Sequence, residues 1–161
     1  MTEKEKWYEL DYRPEIEALE KRRDPDLRKP CHLKKSQLNC YDDCVRYSEL
    51  EADWNWPNHW PLDENKEART PEQVKLCIRF GKRIEFLFAL QHKDDIKVMP
   101  TMYSIDHQDE YDMIFNNGDK YEVKSSRERA ENHKKKHPDV IVAYPENSSN
   151  LNEQSKFVIM K

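Results

Sequence analysis

The clearest hydrophobic pattern in this chain of 161 residues begins at Pro71 and runs to about His92. Apolar side chains recur there at helical spacing. Thr70 is a suitable cap, Pro71 takes the first helical position, and Gln73 follows three residues after the cap, which is typical of a helix start. The second half of this segment is apolar on nearly every side. The pattern therefore predicts a long helix in the centre of the fold.

One acidic residue interrupts the apolar stripe of this helix. Glu85 falls on the same face as Ile78 and Phe88. Burying a carboxylate is costly unless it is paired or bound to a metal. Glu85 is therefore either the partner of a buried arginine, a side chain that reaches out to solvent, or part of a site. Gly81 lies on the same stripe, and because glycine costs about 1 kcal/mol relative to alanine inside a helix, another element is predicted to pack closely against it.

Beyond this helix the pattern changes to short apolar runs that are typical of strands. A capping box at Ser125 and Glu128 predicts one more helix, which Pro138 ends. The predicted order of elements gives an α/β fold with a mixed central β-sheet flanked by helices, an αβββαβ core over residues 71–161. The predicted strands are Ile96 to Thr101, one run at Asp112 and another at Glu122, Val140 to Tyr144, and Phe157 to Met160, the last of them at a sheet edge.

Residues 1–70 have weaker patterns and are predicted to form an irregular, mostly helical N-terminal extension. Two short helices are predicted in it, about Pro14 to Lys21 and about Asp42 to Ala52. A connector rich in tryptophan and proline follows. Its rings are expected to pack against the fold, and the alternative is that they stack on nucleobases. The residues concerned are Trp54, Trp56 and Trp60.

The segment 111–126, YDMIFNNGDKYEVKSS, predicts two short strands joined by a tight turn. Strand side chains alternate in direction, so Glu122 and Lys124 share a face of the sheet. A three-residue loop that ends in a left-handed Gly118 would pair Asp112 with Glu122 and add it to that face. A two-residue loop would shift the pairing and turn Asp112 away. The sequence allows both registers.

The first of these registers creates a strongly acidic patch. Carboxylates that face each other across two strands repel unless a positive charge lies between them. A hard divalent ion held by carboxylate and carbonyl oxygens meets that need. Lys124 would then be placed to hold a water molecule or a phosphate oxygen. The alternative interpretation is an exposed hairpin with alternating charges.

The overall charge limits the kinds of partner. The net charge is −4, so no overall positive field attracts nucleic acid, and any such binding needs a local basic patch. The helix after Lys124 carries one, and its position beside the acidic patch leaves two interpretations open, a surface that contacts phosphates and a solvated face. The basic residues are Arg127, Arg129, Lys134, Lys135 and Lys136. The sequence contains no apolar run long enough to span a membrane, and a cytoplasmic (intracellular) protein without membrane contacts is expected.

The four cysteines have no clear metal-binding spacing. Cys31, Cys40 and Cys44 follow a pattern that does not match standard zinc motifs, and Cys77 is distant in sequence. Free thiols are favoured. A zinc site or an iron–sulfur cluster completed by Cys77 is the alternative.

Several of these residues together resemble a known family. Glu85 in the first core helix, Asp112 on the second strand and the E-x-K triplet at residues 122–124 resemble the PD-(D/E)xK nuclease superfamily. The predicted order of elements is also similar, and the resemblance covers roughly residues 71–145. The chain departs from the pattern at Tyr111, where the family often has proline, and it has no Q-x-x-x-Y motif after the triplet.

This resemblance implies hydrolysis of phosphodiester bonds that depends on Mg²⁺ or Mn²⁺. The implied ligands are Asp112, Glu122 and the carbonyl oxygen of Val123, with Glu85 acting directly or through a water molecule. Lys124 would orient the attacking water and help to deprotonate it. The implied partner is nucleic acid, with DNA favoured over RNA and cutting within the strand, and a homodimer is allowed. The alternative is a catalytically inactive module of the same fold that binds nucleic acid or a protein.

Overall fold

A computed structural model describes residues 30–56, 69–104 and 111–161 of the chain. Over these residues the protein has an α/β fold with a mixed sheet and helices, as predicted. The predicted helix at Pro14 to Lys21 and the side chain of Trp60 lie outside the described residues. The elements in chain order are β1 (Cys31–His32), α1 (Tyr41–Asn55), α2 (Pro71–His92), β2 (Ile96–Val98), β3 (Thr101–Met102), β4 (Met113–Phe115), β5 (Lys120–Val123), α3 (Arg127–Lys136), β6 (Ile141–Pro145) and β7 (Phe157–Met160).

The main sheet of the described residues has the strand order β2-β4-β5-β6-β7. β5 and β6 run parallel, and α3 forms the crossover that a parallel pair requires. The neighbouring pairs are antiparallel. The prediction of β7 as an edge strand is confirmed.

The hairpin of β4 and β5 has the register of the three-residue loop. Gly118 has a φ of 89°, in the left-handed region, as that loop requires. The Gly118 amide donates to the Phe115 carbonyl at 2.9 Å, and the Phe115 amide donates to the Asp119 carbonyl at 2.9 Å. The paired residues are Met113 with Tyr121 and Ile114 with Lys120. Asp112 therefore lies next to β5, on the side that the acidic patch needs.

Helix α2 has the predicted start and the predicted central position. The Thr70 hydroxyl accepts from the Gln73 amide at 3.3 Å, and the Gln73 side chain accepts from the Thr70 amide at 2.8 Å. Every residue from 84 to 89 is buried. The helix therefore anchors the core along its second half.

The cap predicted for α3 is wrong by one residue. Ser126, and not Ser125, is the cap, and its hydroxyl accepts from the Arg129 amide at 3.3 Å. The cause is strand pairing that continues past β5, since the Lys124 amide donates to the carbonyl of Ala143 at 2.9 Å. Extended backbone therefore reaches one residue further than the capping-box pattern indicates. The helix ends before Pro138, as predicted.

The strand predicted from Ile96 to Thr101 is also divided. β2 ends at Val98, and β3 leaves the main sheet to pair with β1. Pro100 has no amide hydrogen and cannot donate a hydrogen bond to a neighbouring strand. Its carbonyl accepts from the Leu33 amide at 2.8 Å. This bond draws the chain toward residues 31–33.

The N-terminal part of the described chain shares the core of the rest. Leu33, Leu38 and Cys44 belong to the same buried cluster as α2 and the sheet. α1 is somewhat longer than predicted. Trp54 contacts the ring of Tyr103 with centroids 5.4 Å apart, and the neighbouring Trp56 is buried, so packing is confirmed for both tryptophans. The boundary at residue 70 stays a prediction, although described residues on both sides of it bury against each other.

None of the helices in the described ranges has the length and apolar character needed to cross a membrane.

Candidate metal centre

A cavity of about 780 Å³ opens at the end of the sheet where β5 finishes and β4 begins. α2 forms one wall of it and α3 borders another. The cavity is lined by all of the side chains predicted for catalysis and metal binding, namely Glu85, Asp112, Glu122, Val123 and Lys124. The fold therefore brings together residues that come from a helix, the start of one strand and the end of the next.

Asp112 is fixed in this cavity by the backbone of β5. Its amide donates to the Tyr121 carbonyl at 2.8 Å, and its Oδ2 atom accepts from the Val123 amide at 2.8 Å. The charge of Asp112 acts on both Glu85 and Glu122. Three carboxyl groups, from α2, from the residue before β4 and from β5, thus lie close enough to interact electrostatically.

Burial and the charge of neighbouring acids raise the pKa values of the two glutamates. Burial, followed by the charge of Asp112, raises the pKa of Glu85 well above its usual value of 4.5. The same two causes raise the pKa of Glu122 to about 8, against the opposing effect of Lys124. Because the pKa of Glu122 is about 8, this carboxyl group keeps its proton at neutral pH, and a bound cation would displace that proton.

Two lysines contact the cluster. Lys124 Nζ lies 3.1 Å from Glu122 Oε1, as expected for residues on one face of a strand. Lys82 Nζ lies 3.2 Å from Glu85 Oε2, and Lys82 was not among the predicted site residues. The available signal was its spacing, because a residue three positions before Glu85 lies on the same helix face.

A fourth acid, Glu51 of α1, also lines the cavity. It is 1% exposed, and its carboxylate accepts from the Tyr103 amide at 2.7 Å and from Asn55 Nδ2 at 3.1 Å. Tyr103 has a φ of 61°, a left-handed conformation that is strained for tyrosine and that this hydrogen bond helps to hold. Glu51 lies on a buried stripe of α1 with Ser48 and Ala52, but because Ser48 is polar the sequence shows no apolar stripe there for an acid to interrupt.

The prediction of close packing at Gly81 is wrong. Gly81 is exposed and lines the cavity, and a Cβ atom placed there would meet nothing within 4 Å. Because Gly81 has no side chain, α2 leaves the cavity open one turn before Glu85. The free-energy cost of glycine inside a helix is thus associated with an open cavity and not with close packing of another element.

The donor set suits a hard divalent cation. In the described ranges, no three histidine, cysteine or acidic side chains are already arranged as metal ligands. The carboxyl groups of Glu85, Asp112 and Glu122 nevertheless line one cavity, where burial and the charge of Asp112 raise the pKa of both glutamates, and the repulsion between carboxylates is the kind that Mg²⁺ or Mn²⁺ relieves. Val123 lines the cavity, and the role of its carbonyl oxygen stays a prediction.

The basic residues of α3 divide into two groups. Arg129 and Lys136 line the cavity, as does His133 between them. Arg127 forms an ion pair with Glu131 at 2.8 Å, outside the cavity lining.

The remaining two lysines of the predicted patch also lie outside the cavity lining. Lys134 Nζ donates to the carbonyls of Pro138 at 2.8 Å and Val140 at 2.7 Å, which ties the end of α3 to the start of β6. Lys135 is exposed to solvent. The structure therefore brings two of the five predicted basic residues to the acidic cluster.

All four cysteines are free thiols. Cys44 is buried in the core, which raises the pKa of its thiol to about 12. Cys77 is exposed and lies at the cavity wall formed by α2.

No family model matches this chain, and no curated protein or solved structure is significantly similar to it. The resemblance to the PD-(D/E)xK superfamily therefore stays a hypothesis. The function has to be argued from the site itself.

Proposed function

We propose that the protein is a divalent-metal-dependent nuclease that hydrolyses phosphodiester bonds within a nucleic acid strand, with DNA favoured over RNA. The observation that carries the proposal is that three carboxyl groups line one open cavity and interact electrostatically, with Lys124 beside them. The E-x-K resemblance supports the same assignment. A buried acidic cluster with raised pKa values is typical of a functional site.

The acids would hold the metal ion. Glu85, Asp112 and Glu122 offer hard oxygen ligands from α2, the segment before β4, and β5. Bound Mg²⁺ or Mn²⁺ would lower the pKa of water and neutralise the charge that develops on the phosphate. The hydrogen bond from the Val123 amide keeps Asp112 oriented while its neighbours lose their protons.

Lys124 is the residue placed to act on the substrate. Its side chain is 32% exposed and faces the cavity, so its ammonium group can donate to a phosphate oxygen and to the attacking water. In the reaction the attacking water gives up a proton to solvent as its oxygen forms a bond to phosphorus, the bond between phosphorus and the leaving oxygen breaks, and the leaving oxygen takes up a proton from solvent. Glu122, which contacts Lys124, keeps the ammonium group at the reacting centre.

Arg129 and Lys136 would bind phosphates on either side of the cut. They border the cavity on α3, and a local basic surface is needed because the net charge of the chain is −4. We also propose a cytoplasmic location, which is supported by four free thiols, because intracellular compartments keep cysteines reduced. A homodimer remains compatible with the resemblance, and light scattering of the purified protein tests it.

The proposal is tested by incubation with linear and circular DNA and with single- and double-stranded RNA, with Mn²⁺ or Mg²⁺ and with EDTA. We expect cleavage that requires the metal and that linearises or nicks circular DNA. Asp112→Asn keeps the shape of the side chain and removes its charge, and it should lower the rate by more than about 100-fold.

Activity that persists undiminished in EDTA, or full activity of Asp112→Asn, would contradict the proposal. Binding of nucleic acid that EDTA leaves unchanged, together with no turnover of any substrate, would favour an inactive binding module.

A further inference from the structure

Lys82 is held firmly at the Glu85 end of the carboxylate cluster. Its Nζ atom lies 3.2 Å from Glu85 Oε2 and 3.4 Å from the carbonyl oxygen of Thr101. The ammonium group also lies 5.6 Å from the ring centroid of Phe86, within the range of a cation–π interaction. Lys82 therefore has contacts with α2 itself and with β3 across the cavity.

The charges around Lys82 belong to three different segments. Glu85 is its closest acid, and Glu51 of α1 and Asp112 before β4 also act on it electrostatically. With Glu122, these four carboxylates face the two ammonium groups of Lys82 and Lys124. Among these six side chains two negative charges remain when all four acids are ionised, which is the charge that one divalent cation neutralises.

The ion pair between Lys82 and Glu85 opposes the binding of a second divalent cation. Two-metal centres hold their ions about 3.5–4 Å apart and share carboxylate ligands between them. Glu85 would have to supply such a ligand, and one of its oxygens already accepts from the ammonium group of Lys82. A second ion would also leave these six side chains with an excess of two positive charges, in a cavity that Arg129 and Lys136 line as well.

On the basis of the function proposed above, we propose that Lys82 takes the place of a second metal ion and limits the centre to a single divalent cation. Lys82 is then a positioning residue, because it acts through Glu85 and through the charge of the cluster. Glu51 supports it from α1, so the N-terminal part of the described chain contributes to the selectivity of the site.

The test is a titration of the full chain with Mn²⁺ in the absence of nucleic acid, with free Mn²⁺ counted by its paramagnetic resonance signal. The wild-type protein is expected to bind one ion. Lys82→Met, which keeps the apolar stem and removes the charge, is expected to bind two. Lys82→Arg keeps the charge and should bind one. Lys75→Met is a matched control, since Lys75 is another half-buried lysine of α2 that pairs with acids outside the cavity, and it should also bind one.

Loss of the ammonium group leaves Glu85 without its partner, so the fold of Lys82→Met has to be checked by circular dichroism. Lys82→Gln is the second variant, because its amide can still donate to Glu85 without carrying a charge, and it should bind two ions as well. Two ions in the wild-type protein, or one ion in both neutral variants, would overturn the inference and leave the nuclease proposal standing. No bound ion in the wild-type protein would overturn both.

Discussion

The two ends of the carboxylate cluster differ in how their lysines are held. Lys124 pairs with Glu122 from the same strand, and its side chain is 32% exposed. Lys82 pairs with Glu85 one turn away on α2, contacts the Thr101 carbonyl as well, and is 24% exposed. The Lys124 ammonium group is the more exposed of the two, and it is the one proposed to reach a substrate. The Lys82 ammonium group lies beside Glu85 and contributes to the charge of the cluster, so similar ion pairs are proposed to serve catalysis at one end and metal selectivity at the other.

The largest expected effect is a difference in kcat between variants of the two lysines. Lys124→Met should lower kcat by about 100- to 1,000-fold, because it removes a donor to the reacting phosphate, the kind of group whose loss has that effect. Lys82→Met should lower kcat by about 10-fold or less, since it acts only through the metal centre. Steady-state cleavage of one DNA substrate measures both. Equal losses in the two variants would remove the distinction between the two ends.

The next effect concerns the free energy of unfolding of the metal-free protein, which depends on the protonation of Glu122. Its pKa is about 8 in the folded protein against 4.5 for an ordinary glutamate. Between those pH values the folded state keeps a proton that the unfolded state has released, so the free energy of unfolding falls as the pH rises through this window and then levels off. Glu122→Gln is neutral at every pH and avoids this loss.

Glu122→Gln should therefore be more stable than the wild-type protein in EDTA by about 2–4 kcal/mol above pH 8, with the difference shrinking toward pH 4.5. Urea unfolding at several pH values measures it. Mn²⁺ should stabilise the wild-type protein more than the variant. A difference that does not change with pH would show that Glu122 is not the protonated member of the cluster.

The smallest effect tests whether the basic residues of α3 that line the cavity differ in function from those outside it. Arg129→Ala and Lys136→Ala should each raise KM by about 3- to 10-fold and reduce its dependence on salt, because each removes a phosphate contact. Arg127→Ala and Lys135→Ala are matched controls on the same helix that lie outside the cavity lining, and they should change KM by less than about 2-fold. An equal effect of all four substitutions would mean that α3 acts only through its general charge.

Much of the acidic cluster could be predicted because it depends on local signals. Gly118 sets the loop length, the loop length sets the register, and the register brings Asp112 next to the strand of Glu122. Glu85 was evident because an acid interrupted an apolar stripe, and the caps at Thr70 and Gln73 fixed where that helix begins. These features need only a few neighbouring residues.

The remaining features depend on contacts between distant segments. Glu51 reaches the cavity because α1 packs on α2, and the carbonyl that contacts Lys82 belongs to β3, which a pairing with β1 draws out of the main sheet. The shifted cap at Ser126 similarly follows from pairing with β6. Patterns along one segment carry no information about such partners. For this reason the Lys82 end of the site was not predicted, whereas the Lys124 end was.

The most direct test of the metal centre is anomalous diffraction from crystals of the protein grown with Mn²⁺. The account predicts a single anomalous peak in contact with carboxylate oxygens of Glu85, Asp112 and Glu122, with Lys82 still bound to Glu85. A map without a peak in the cavity, or with the ion bound only to other residues, would contradict it.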